Sequence, residues 1–98
     1  MDNWIRNFKD LLDVFEAMSD SEKIVARQQF HSDNNINKLK TVERKFQNLL
    51  NFVQDIDTMS RADGTYVDPR IVKLAREIIP KAIEALNLIN KYFLLMEA

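Results

Sequence analysis

VDPRIVKLAREIIPKAIEALNLINKYFLLM, residues 67–96, reads as one continuous helical pattern. Asp68 is a strong N-cap residue. Pro69 suits the first helical position, where its missing N–H would have had no partner, and Val67 can staple against Val72. Behind this start Ile71, Ala75, Ile78, Ala82, Ala85, Ile89, Tyr92 and Met96 fall on one side, with Val72, Ile79, Ile83, Leu86 and Phe93 beside them. The arc is wider than a two-helix seam requires, so this helix is expected to touch two or more neighbours. Pro80 removes one backbone bond inside the pattern. Because the apolar period continues past it, the expected result is a kink over Arg76 to Ile79 and not an end.

Upstream, Leu39, Val42, Phe46, Leu49, Val53 and Ile56 keep spacings of three and four, the seam of a coiled coil or narrow bundle. Gly64 suits the left-handed residue that closes that helix, and His31-Ser32-Asp33-Asn34-Asn35 reads as the turn before it. In the first segment Trp4, Phe8, Leu11, Phe15 and Met18 make another stripe, with Asp2 or Asn3 as its cap. The stripe falters at Ser19-Asp20-Ser21-Glu22, where Ser19 and Glu22 stand at capping-box spacing. A break there and a new short helix carrying Ile24, Val25 and Phe30 are expected.

The pattern predicts an all-α fold in a single domain over residues 1–98. Its three long arms (roughly 2–30, 33–63 and 69–97) form an antiparallel up-down bundle, the first arm broken near Ser19–Ser21 to give three to four helices, with dimerisation as a way to complete it. Each arm would be about 42 to 46 Å long at about 1.5 Å per residue. One Gly and two Pro among 98 residues leave little punctuation, and no run alternates as a half-buried strand does. Hydrophobic residues make up 46% and charged ones 30%, enough apolar surface for a core. The net charge of −1 argues against general polyanion binding. By segment, residues 1–22 carry −4, 23–45 carry +4, 46–68 carry −3 and 69–98 carry +2, alternating signs that suit arms packed against one another.

Catalytic signatures are sparse. There is no cysteine, and His31 is the single histidine, which excludes thiolate sites and paired-histidine metal motifs. Arg27 and His31 stand at Arg-x3-His, a departure from the Arg-x4-6-His of helical HEPN ribonucleases, so that activity is not implied. Asp10, Asp13 and Glu16 share a helix face without a second carboxylate helix to match, and read as a solvated acidic face. The stretch from Asp55 to Gly64 puts Met59 and Arg61 where an EF-hand loop needs oxygen ligands. The expectation is a non-enzymatic protein with no cofactor and no bound metal.

What remains is contact. Tyr92-Phe93-Leu94-Leu95-Met96 is apolar all round the helix, more than one bundle face can bury. Leu88, Leu94 and Leu95, off the main stripe, are therefore the candidate partner-binding residues, with Trp4 as a further anchor. The leading reading is a helical protein-protein interaction module, a small subunit or inhibitor of a larger assembly, with a protein partner or a second copy. The alternative is a small subunit that follows a nucleic-acid backbone through Lys38, Lys40, Arg44 and Lys45. Small all-α chains of this kind resemble several groups at once, bacteriocin immunity proteins, small helical subunits of nucleic-acid-guided effector complexes, phage-encoded inhibitors and helical partners from secretion systems, and no motif here selects one of them. A membrane-associated immunity role is the third reading, weakened because Lys91 alone supplies a cation beside the apolar C-terminal end. Met1-Asp2-Asn3-Trp4 has neither the basic nor the apolar region of a signal peptide, and a cytoplasmic location is expected.

Overall fold

The computed structural model describes residues 1–62 and 66–97, and all regular structure among them is helical. Helix α1 spans Asp2–Glu16, α2 Asp20–Ser32, α3 Asn35–Arg61 and α4 Pro69–Glu97. The break between α1 and α2 lies where Ser19 and Glu22 cap each other. The Glu22 N–H donates to Ser19 Oγ at 3.3 Å and the Ser19 N–H to Glu22 Oε1 at 3.2 Å, so two amides that a helix start would leave unpaired are both satisfied. At α4, Asp68 Oδ1 accepts from the Arg70 N–H at 2.9 Å and its carbonyl from Ile71 and Val72, with Pro69 first in the helix. The helix continues through Pro80, which is exposed.

Two boundaries differ from the sequence reading. The N-cap of α1 is Met1, while Asp2 and Asn3 lie inside the first turn, where Asp2 suits the helix dipole and Asn3 accepts from Arg6. His31 and Ser32 belong to α2, so the turn before α3 shrinks to Asp33 and Asn34. Asn34 adopts φ 59°, a left-handed conformation that Asn tolerates better than most side chains. The expected closure at Gly64 lies outside the described residues.

Helices α3 and α4 run antiparallel. Near the hairpin turn, Arg76 Nε donates to Asp57 Oδ1 at 2.6 Å; toward the other end, Lys40 and Arg44 share a groove with Asn87 and Asn90. Between them Leu50, Val53, Ala75 and Ala82 form a core, flanked by Leu49, Ile56, Ile78, Ile79 and Leu86. Ala82, Ala85 and Ile89 are 0% exposed. The small alanines bring backbones close, and Ile89 fills the interior beside them. Helix α1 lies along the C-terminal half of α4 in the same direction, pinned by Asp2–Lys81 at 3.1 Å, Lys9–Glu84 and Glu16–Lys91 at 3.0 Å.

Helix α2 then crosses the end of the assembly. Phe30 joins Phe15 and Met96 in a second core, Arg27 Nε donates to the Leu95 carbonyl at 2.9 Å, and His31 Nε2 lies 3.4 Å from the Met96 carbonyl. Carbonyls in a last helical turn have no intrahelical partner, so these two side chains of α2 satisfy the negative end of α4. This overturns the picture of three equal arms. At 15 residues α1 is about 22 Å long against about 44 Å for the 29 residues of α4, and α2 bends away and does not prolong it. The molecule is elongated, 59 × 21 × 17 Å, and one end of it is a bare two-helix hairpin.

Candidate interaction surface

On α4 the residues facing α1 recur at 81, 85, 88, 92 and 95. Lys81 holds Asp2, Ala85 is buried, and Tyr92 meets the Phe8 ring at a centroid distance of 5.4 Å. Continued toward the N-terminus, the same three-and-four spacing reaches Ile78, Leu74 and Ile71. Asp2 opens α1 at the level of Lys81, so this part of the stripe has no third helix over it. Ile71 is 49% exposed and Leu74 58%, whereas Ile78 is half-buried against α3. On α3, the neighbour of α1 is Phe46, whose ring lies 4.7 Å from Trp4, and the same side continues through half-buried Leu49 and Ile56 to Phe52 and Met59 at its outer edge. Phe52 is 62% exposed and Met59 50%. Six side chains from two helices thus form one apolar strip on the bare half of the hairpin.

Electrostatics hold this half together from the opposite side. Asp57 takes the Arg76 guanidinium and also pairs with Arg61, and the bond from Arg76 holds its carboxyl below the usual aspartate range. Arg70 likewise lowers Asp68, and its own side chain is 89% exposed. Lys73 and Glu77 stand exposed on the flank of α4. Chemically the strip offers burial of apolar surface framed by charge. Among the described residues no group of three or more His, Cys, Asp or Glu side chains is placed to hold a metal ion, and no helix is long and apolar enough to cross a membrane.

The residues singled out from sequence are dispersed. Trp4 stacks on Phe8 at 4.9 Å and tilts against Phe46, part of an aromatic chain that continues through Tyr92 to Phe30. Burial there pushes the Tyr92 phenol above its ordinary range. Leu95 packs into the core under α2, Leu88 is half-buried, and only Leu94 is well exposed, at 61%. The four cations of α3 are exposed but divide between faces. Lys40 and Arg44 line a groove of about 630 Å³ with Glu43, Asn87 and Asn90, whereas Lys38 borders Phe8, Leu11 and Tyr92 on the α1 side, and Lys45, two turns on, shares its face. Asp10 and Asp13 are exposed, and Glu16 is paired with Lys91.

Sequence reasoning missed Phe52, Met59, Ile71 and Leu74 as surface residues. A signal was present: a first helix that breaks after fifteen residues cannot cover a stripe running from Ile71 to Leu95. Compared with family models, with curated proteins and with solved structures, the chain has no significant match.

Proposed function

We propose that the chain is a non-enzymatic helical interaction module, an α3–α4 hairpin with α1 and α2 packed at one end, that acts in the cytoplasm as a small subunit or inhibitor of a larger assembly. It engages a protein partner through Phe52, Ile56, Met59, Ile71, Leu74 and Ile78. The observation that carries this reading is the mismatch between α1 and the seam it occupies: the seam on α4 extends past Asp2 by three turns and keeps its apolar residues there. Large half-exposed side chains grouped on one face are unfavourable in water, and covering them returns about 25 cal/mol for each Å² removed from solvent. The basic residues support the nucleic-acid alternative less well, because Lys38 and Lys45 do not share a face with Lys40 and Arg44.

The test is affinity capture of the tagged wild-type chain and of Leu74→Asp from the cell that makes it, with nuclease treatment and a high-salt wash. A stoichiometric protein held by the wild type through both treatments and absent from Leu74→Asp is expected, since an apolar contact is strengthened by salt and not screened by it. Equal retention by the two chains overturns the choice of face. Loss from the wild type with nuclease or salt overturns the reading in favour of nucleic acid.

A further inference from the structure

We infer that the bare hairpin face seats the same face of a second copy of this chain across a two-fold axis beside Leu74, which completes a four-helix contact at the hairpin end. The inference rests on the reading of this face as an interaction surface and names its occupant.

The face is self-complementary in spacing. Ile71, Leu74 and Ile78 stand three and four residues apart, so an antiparallel two-fold that sets Leu74 against Leu74 of the second copy also sets Ile71 against its Ile78, and Ile78 against its Ile71. The register on α3 follows without further adjustment. The Arg76–Asp57 bond fixes the level of α3 against α4: Leu74, two residues before Arg76, lies level with Met59, two residues after Asp57, so the same axis sets Met59 beside Met59 of the second copy. One operator thus buries the apolar residues of both helices.

The flanking charge is self-complementary as well. Arg70 and Glu77 lie one heptad apart at the edge of the strip, and the two-fold places Arg70 opposite Glu77 of the second copy, twice by symmetry. Arg70 uses two of the five N–H donors of its guanidinium on Asp68 and keeps the rest for such a contact. The overlap is limited to the dozen or so residues of α4 before Lys81, about 18 Å of helix, because the tip of the second copy then meets the start of α1. A contact of this length falls at the small end of specific interfaces, so the dimer is reversible and micromolar, with the monomer dominant in dilute solution.

Sedimentation velocity on the purified full chain, from about 1 μM to several hundred μM, is the test. The wild type is expected to pass from monomer to dimer over that range, and Leu74→Asp to stay monomeric with an unchanged helical circular dichroism spectrum, since position 74 is 58% exposed and tolerates the charge within one chain. Glu77→Arg alone places like charges opposite one another and weakens the dimer about tenfold, and the double change Arg70→Glu with Glu77→Arg restores it. The chain has no cysteine, so Leu74→Cys supplies a single thiol, expected to cross-link two copies on mild oxidation, whereas Ile83→Cys on the outer side of α4 does not. A wild type monomeric at every concentration overturns the two-fold dimer and leaves the capture experiment to decide whether another protein uses the face. A dimer indifferent to Leu74→Asp and not cross-linked through position 74 overturns the dimer and the choice of face together.

Discussion

Truncating two aliphatic side chains of the same helix, Ile89→Ala and Leu74→Ala, separates the packed half of α4 from its bare half. Ile89 is 0% exposed and is the largest side chain buried so completely. Its truncation removes three methylene equivalents, about 2.4 kcal/mol at about 0.8 each, and the cavity left at so fully buried a position raises this to about 3 to 4 kcal/mol. In a domain of this size that lowers Tm by roughly 15 to 20 °C. Leu74, at 58% exposure, loses little on folding, and its truncation costs below about 0.5 kcal/mol in a dilute monomer. Urea and thermal unfolding followed at 222 nm give both values at a few μM protein. A loss below about 1 kcal/mol for Ile89→Ala refutes the placement of α1 and α3 around α4. A loss from Leu74→Ala comparable to that of Ile89→Ala, independent of protein concentration, refutes the claim that this half is uncovered within the chain.

Further outcomes follow from the caps and ion pairs. Ser19→Ala removes the side-chain half of the capping box and costs about 1 kcal/mol in the same assay, whereas Ser19→Asp retains most of the stability. Arg27→Ala frees the Leu95 carbonyl and costs about 1 to 2 kcal/mol, and hydrogen exchange shows the last turn of α4 fraying before the rest of the helix. Asp57, Asp68 and Glu22 are each held below their ordinary range, Asp57 and Asp68 by arginine and Glu22 by Ser19. A carboxyl lowered in the folded state stabilises above its unfolded pKa and loses that contribution as pH falls through the folded value. Stability is therefore expected to decline below about pH 4, and Asp57→Asn to flatten part of that slope.

The sequence makes the helices themselves legible, because their limits are local. Ser19 with Glu22, and Asp68 with Pro69, mark two helix starts by side chains that bond within one turn, and both are found where their spacing places them. The reach of the first arm was not legible. Its apolar residues continue past Ser19, and only contacts distant in sequence, Phe30 in the core beside Met96 and Arg27 on the Leu95 carbonyl, turn α2 across the end of α4. That turn packs Leu95 but leaves Leu94 exposed, while Trp4 is held separately between Phe8 and Phe46. It also leaves α1 short, and the exposed strip moves to the opposite end of the molecule. The Asp57–Arg76 pair escaped notice for the same reason: nineteen residues separate its partners, and neither position is distinctive alone.

Methionine oxidation, read by peptide mass spectrometry, tests the central claim most directly, because the chain carries its own reporters. Met59 is 50% exposed on the bare face and Met96 is 2% exposed in the core under α2. The account predicts rapid sulfoxide formation at Met59 in dilute protein, strong protection of Met59 in concentrated protein as the second copy covers it, and slow oxidation of Met96 at both concentrations. Oxidation of Met59 at one rate in dilute and concentrated protein would contradict it.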